Sequence, residues 1–412
     1  MELWSLLCLA CHLALSPAAA AGPPPGRPVA RVAQLSADFG LRLFREVSKA
    51  SKEQNLAFSP HGAASVVAML QVASEGNTRR QIKEALGFSL KEWGIPRALR
   101  LLQKTLSDPQ GKDTVQVAEA LFVQRDLPLV ATFLRRFRRL FHQTVKQVDF
   151  TESSRARSIV NAWVKQHTNG MIQGFLPEGA LDAMTRLVLV DAIHFKGLWQ
   201  LPFPKAATRQ RIFHKLGGST VAVPMMEQTA EFHYGEFSTP ELGEYDVIEL
   251  PYQGATLSML IASPFQLDAP LSALAAAIDP HLIAEWKSNM SAVTRLLVLP
   301  KFSLESEVDL RGPLEALGMT DMFDCHKANF SRLSVRDALF VSRALQKVKV
   351  DVNESGTEAS SATAAIVYSR MAPLEIVLDR PFLFVVRHNP TGKAHQGRFL
   401  PSKTLQAAPK GP

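Results

Sequence analysis

The amino-acid sequence predicts an α+β fold carried by one large domain. Helical periodicity is concentrated in the first third of the chain, while apolar strand-like runs dominate the later part. The two kinds of element are segregated rather than alternating, so a repeated βαβ parallel sheet is not the expected architecture. With 412 residues, 46% of them hydrophobic and 20% charged, the chain can bury a large core, which excludes a disordered polymer or a collagen.

Taken in order, residues 1–21 read as a secretory signal peptide. The apolar run 3–15 is too short to span a bilayer, and Ser16-Pro17 and four alanines follow it, so cleavage near Ala20 or Ala21 is expected. Residues 22–31, rich in Gly and Pro, read as an extended leader, 32–400 as the folded domain, and 401–412 as a polar tail. Val32, Leu35, Phe39, Leu43 and Val47 form a helical stripe. Residues 63–73 read as an apolar buried helix after the start signal Ser59-Pro60. Residues 185–190, 255–262, 294–300 and 382–386 read as strands.

The signal peptide carries Cys8 and Cys11, so the mature chain keeps only Cys325 and makes no internal disulfide. Cys325 lacks any nucleophile signature and reads as a packed or partly exposed thiol. The triplets at Asn289, Asn329 and Asn353 are glycosylation candidates on a secretory route. The chain contains no nucleophile elbow, zinc-protease motif, dinucleotide fingerprint or P-loop, and its His and Cys residues lack metal-ligand spacing. A binder or inhibitor is therefore favoured over an enzyme, and no cofactor or metal is expected.

The net charge of +8 becomes one unit more positive when Glu2 leaves with the signal. Two cationic faces stand out. Arg135, Arg138 and Arg139, with His142 and Lys146, follow helical spacing opposite Phe133, Phe137, Leu140, Phe141 and Val145. Lys91, Arg97, Arg100 and Lys104 form a second stripe. Both are candidates for a heparin-like glycosaminoglycan acting as modulator, against the alternative of a merely solvated surface. No nucleic-acid partner and no membrane span are expected, and the mature protein is expected to be a monomer.

The most unusual segment is 354–371, a run of small residues between two apolar strands, ending in Arg370-Met371. In a strand, Thr357, Ala359, Ser361, Thr363, Ala365 and Val367 would share one face and Glu358 the other. Composition alone also allows a flexible surface linker.

Six ordered blocks add a resemblance: Asn55 to Pro60, Gly76 to Ile82, Val190 to Trp199, Leu299 to Phe302, Val352 to Thr357 and Asp379 to Phe384. Together they are similar to the serpins over nearly the whole mature chain. The nearest likeness is to plasminogen-activator-inhibitor-like members, notably in 122–127, 319–323 and 370–373. The resemblance implies a serpin fold of about nine helices packed on three β-sheets, with an exposed reactive-centre loop over about 354–375. It implies a secreted suicide-substrate inhibitor of trypsin-like serine proteases. The reactive bond falls at Arg370-Met371, and Glu354, Gly356, Thr357, Ala359, Ser361 and Thr363 form the hinge whose small inward residues permit insertion into a sheet. The alternative is a non-inhibitory serpin-fold binding protein.

Three positions and one run depart from the pattern. Asp191 stands where the family usually has Asn, and His194 replaces a usual aromatic. Leu374 occupies a position that is acidic in the plasminogen-activator inhibitors, which puts those proteases in question as targets. The polar run 393–398 replaces an apolar central strand, which predicts instability or a missing strand.

Overall fold

A computed structural model of the protein describes residues 26–51, 54–107, 115–240, 243–267, 269, 271–335, 339–355, 374–389 and 393–399. The expected signal peptide, the expected polar tail and residues 356–373, which hold most of the expected hinge and the Arg370-Met371 bond, lie outside these.

Helix α1 (Gly26–Ala50) places Val32, Phe39, Leu43 and Val47 on its buried side, with Leu35 half-buried, as the stripe predicts. It begins six residues earlier than expected, so residues 26–31 are helical rather than an extended leader. Pro28 falls in the first turn, where a helix loses nothing by its missing N–H. Helix α2 (Pro60–Ala73) is buried along its whole length. Ser59 caps it, its side chain accepting a hydrogen bond from the Gly62 amide at 3.1 Å, and Pro60 opens its first turn. Helices α3 (Gly76–Leu86), α4 (Ile95–Ser107), α5 (Ala131–Phe141), α6 (Ser153–His167), α7 (Leu271–Ala277), α8 (Pro280–Asn289) and α9 (Arg311–Ala316) complete a set of nine among the described residues.

The first sheet has five strands in the order β10 (Phe302–Asp309), β11 (Val341–Val352), β4 (Leu187–Lys196), β2 (Val115–Gln124) and β3 (Lys146–Val148). The second has nine. Its main path runs β1 (Leu56–Phe58), β14 (Lys393–Phe399), β13 (Phe382–His388), β8 (Leu257–Pro264), β7 (Gly243–Pro251), β6 (Thr220–Thr239), β9 (Ser291–Pro300) and β12 (Glu375–Val377), with β5 (Arg209–His214) beside β6. Strand β6 is 20 residues long and pairs with β5 at its start, β9 in its middle and β7 at its end. Two of the three sheets implied by the resemblance are thus hydrogen-bonded into one.

Residues 393–399 correct one expectation. They form strand β14, antiparallel to both β1 and β13. Backbone groups on two flanking strands supply its ladder whatever side chains it carries, which is why polar composition does not delete it.

One core cluster lies between α1, α2 and the inner faces of the sheets, and a second, around Met259, Ile261, Phe302 and Phe384, lies between the two sheets. A third, formed by Val160, Val164, Ile172, Phe175, Val188, Val190 and Leu345, packs α6 and the segment after it against the outer face of the five-stranded sheet. No helix among the described residues is long and apolar enough to cross a membrane.

Candidate functional site: a parallel seam ending at a buried glutamate

Strands β4 and β11 are neighbours and run parallel, with ten residue pairs from Val341↔Leu187 to Asp351↔Lys196. Each is antiparallel to its other neighbour, β2 and β10 respectively. The chain leaves β11 at Val352 and enters the loop. A segment folding back from that point would run antiparallel to both β4 and β11. Its entry would replace one parallel ladder by two antiparallel ladders, which are slightly more stable per residue.

Two polar bridges cross this seam. At its centre Asp191 lies directly opposite Gln346 on β11 and Glu119 on β2. Gln346 Nε2 donates to Asp191 Oδ2 at 2.6 Å and to the Ser59 carbonyl at 3.0 Å, while its Oε1 accepts from the Ser59 amide at 2.8 Å. The seam is thereby tied to the start of α2. Gly62 is required here, because a Cβ would come within 2.4 Å of Asp191 Oδ2. At the far end His194, almost fully buried, meets Asp351 Oδ2 through Nε2 at 2.8 Å, and Ser303 Oγ donates to Asp351 Oδ1 at 2.6 Å.

Asp191 is fully buried and its Oδ1 has no hydrogen-bond partner among the described residues. Burial, reinforced by the Glu119 carboxylate opposite, pushes its carboxyl well above the usual carboxylate range, and the Gln346 bond only partly offsets this. The folded state therefore holds this proton more tightly than the unfolded chain. Asp191 favours folding fully only below the unfolded carboxylate pKa near 3.9, and its contribution falls as pH rises from there toward the folded value. Asp191→Asn is accordingly expected to stabilise the protein at pH 7.4, by on the order of 1–3 kcal/mol, because the amide has no charge to bury and no proton to take up. The gain should shrink toward pH 4 in thermal melts. A gain independent of pH would contradict this account.

Glu354 anchors the root of the loop. It is buried, with Lys301 Nζ at 2.8 Å from Oε2 and Thr208 Oγ1 donating to Oε1 at 2.9 Å. Burial opposes its ionisation, but these partners outweigh it and hold the carboxyl below its ordinary value. Beside it Trp199 Nε1 donates to the Asn353 carbonyl at 2.9 Å, and its ring stacks on Tyr252 with centroids 4.5 Å apart. At the other root Leu374 is exposed, and its carbonyl accepts from Leu296 before β12 runs parallel to β9.

Of the residues singled out from the sequence, the structure gathers Asp191, His194 and Glu354 along this seam. Gly356, Thr357, Ala359, Ser361, Thr363, Arg370 and Met371 lie outside the described residues. Gln346, Lys301, Thr208 and Trp199 are functional partners that sequence reasoning missed. Gln346 left a faint signal as an uncharged polar residue inside an apolar strand. The others become partners only through long-range folding.

The cationic faces are partly as expected. Helix α5 buries Phe133, Phe137, Leu140 and Phe141 and exposes Arg135, Arg138 and Arg139. It ends at His142, whose φ of 53° terminates the helix, so Lys146 belongs to β3 rather than to a longer helix. Lys91 and Arg97 are exposed and Arg100 is half-buried, while the Lys104 side chain lies outside the described residues. Asn289 is exposed and Asn329 and Asn353 are half-buried; Cys325 is an exposed free thiol.

At the end of the parallel seam the chain runs on through a buried, lysine-paired glutamate. The family model Serpin (serine protease inhibitor) matches residues 34–397. The chain is a serpin. It is similar to plasminogen activator inhibitor 1 of Sus scrofa, with 58% identity over 385 residues, covering 93% of this chain and 95% of that protein. It is similar also to plasminogen activator inhibitor 1 of Neovison vison, with 60% identity covering 88% and 90%. Among solved structures it resembles native protease nexin-1 with heparin, with a TM-score of 0.86 and 37% identity, covering 91% of this chain and all of that one. This serpin is accordingly an inhibitor of serine proteases rather than an enzyme.

Proposed function

We propose that this serpin is a secreted suicide-substrate inhibitor of trypsin-like serine proteases that offers Arg370 as bait. The observation that carries the reading is the closed parallel seam between β4 and β11, with the loop rooted at its end. A guanidinium suits the carboxylate at the base of a trypsin-like specificity pocket, where bidentate pairing is strong. The protease serine attacks the Arg370 carbonyl carbon, the Arg370-Met371 peptide bond breaks, the new amine of Met371 takes a proton, and Arg370 remains as an ester on the serine.

The freed segment then enters the seam. About sixteen residues at roughly 3.3 Å each carry the attached protease about 50 Å. Thr357, Ala359, Ser361 and Thr363 are small enough to be buried on the way in. The Asp191–Gln346 and His194–Asp351 bridges must part, and the α6 layer must shift. That layer is held by hydrogen bonds from Lys347 Nζ to the Gly174 carbonyl and from Lys349 Nζ to the Met171 carbonyl. The test is a denaturing gel of the purified protein mixed with trypsin, thrombin, urokinase and tissue plasminogen activator. A covalent adduct is expected, and clean cleavage after Arg370 without one would favour the binding-protein alternative.

The names of the relatives support plasminogen activators as targets, whereas exposed Leu374, placed where those inhibitors are acidic, argues for a shifted preference. The heparin in the nexin-1 structure supports a glycosaminoglycan partner for the exposed arginines of α5 and for Lys91 and Arg97. Retention on heparin resin at physiological salt is expected, and Arg135→Ala, Arg138→Ala and Arg139→Ala together should lower the eluting salt concentration. Release of the unmodified protein at physiological salt would count against this partner. The signal segment and the three Asn triplets support secretion and glycosylation.

A further inference from the structure

We propose that the arginines gathered around Glu75 form a site for a tetrahedral oxyanion, a sulfate or phosphate group, for which Glu75 serves as the internal stand-in. The proposal is independent of the inhibitory reading. Three cations converge on this one carboxylate, and a fourth stands behind them. Arg332 Nε donates to Glu75 Oε2, Arg79 Nη1 lies 3.7 Å from the same oxygen, and Lys91 Nζ lies 3.9 Å from Oε1. Arg136 is close enough for its charge to bear on both Arg79 and Arg332, and its Nη2 is spent on the Leu90 carbonyl at 3.0 Å.

The balance is uneven and the least satisfied member is the deepest. Arg79 is 8% exposed, and neither its Nη1 nor its Nη2 makes a hydrogen bond among the described residues. A buried guanidinium whose two terminal nitrogens make no hydrogen bond is costly, and a planar fork matches oxygens of a tetrahedral anion. Burial, and then the neighbouring Arg332 charge, lower the Arg79 pKa, as expected where cations are crowded without enough anion.

The cations are also held in place before any ligand arrives. The Glu75 amide donates to the Asn329 carbonyl at 2.9 Å, the Asn329 amide to Thr78 Oγ1 at 3.0 Å, and the Val130 amide to the Leu333 carbonyl at 3.0 Å. These bonds lock the start of α3, the start of α5 and the 329–333 segment to one another. Glu75 is the movable part. Its side chain is 38% exposed, and although it occupies the N-cap position of α3 it makes no capping hydrogen bond, so among the described residues only the cations retain it. Swinging it into solvent uncovers Arg79 to an incoming oxyanion.

The test is a calorimetric titration of the full mature protein with sodium phosphate and sodium sulfate at constant ionic strength, and with a fully sulfated heparin-derived disaccharide. Saturable binding is expected, weakened at least about tenfold by Arg79→Gln and by Arg332→Gln and tightened roughly tenfold by Glu75→Gln, which removes the competing charge. Tightening by Glu75→Gln is the signature that a merely structural ion pair would not give. If Arg79→Gln does not fold, Arg332→Gln, Lys91→Gln and Glu75→Gln, all at partly exposed side chains, carry the test. Binding of the inorganic anions with these dependences assigns a free anion. The same dependences with the disaccharide alone assign a sulfate carried on a glycan. Absence of binding, or binding unchanged in all variants, overturns the proposal.

Discussion

Arg370→Ala is expected to abolish the covalent adduct with trypsin and to slow complex formation by at least about 10³-fold. A pocket built to pair a guanidinium with a buried carboxylate leaves that carboxylate unpaired when alanine enters, and rejection of substrates lacking the matching polar group is correspondingly steep. Arg370→Lys should retain a fraction of the rate, because it keeps the charge and loses the bidentate geometry. The measurement is the second-order rate of adduct formation on denaturing gels, with thermal melts to establish that each variant is folded. An undiminished adduct in folded Arg370→Ala would place the reactive bond elsewhere in the loop.

Cleavage of the loop is expected to raise the melting temperature by roughly 20 °C or more. The β4–β11 seam offers ten paired positions, and an inserted segment would hydrogen-bond along both edges. Counting about one new net bond per position at roughly 1 kcal/mol, and about 2 °C per kcal/mol for a large domain, gives a shift of that order. Thr357→Arg should remove most of the rise. It places a charge on the face that must be buried first, so the variant should be cleaved as a substrate without trapping the protease. Calorimetric scans before and after limited proteolysis check both statements. A cleaved wild-type protein that melts where the intact one does would rule out insertion.

Much of the fold was legible in the chain because its signals are local. The 3.6-residue stripe of Val32, Phe39, Leu43 and Val47 and the unbroken apolar helix after Ser59-Pro60 identify α1 and α2 without reference to anything distant. The apolar runs of β4, β8, β9 and β13 were equally plain. Helix ends were less so. The start of α1 at Gly26 and the end of α5 at His142 depend on a tolerated proline and on one left-handed residue, neither of which periodicity records. Strand β14 shows the opposite failure, since a polar strand is held by its neighbours' backbones and leaves no hydrophobic pattern to read.

By itself the sequence determined the segregated α+β class, the run of small residues that ends in Arg370, the cationic faces, and the family through blocks whose order survives along the chain. Only the tertiary structure decided which residues guard the seam and which crowd around Glu75. Asp191 meets Gln346 across 155 positions, Lys301 meets Glu354 across 53, and Arg332 reaches Glu75 across 257. Such pairs carry no periodicity and no spacing rule. Their energetics come from burial and from the scarcity of partners in a low-dielectric interior, quantities that exist only once distant strands have been brought into register.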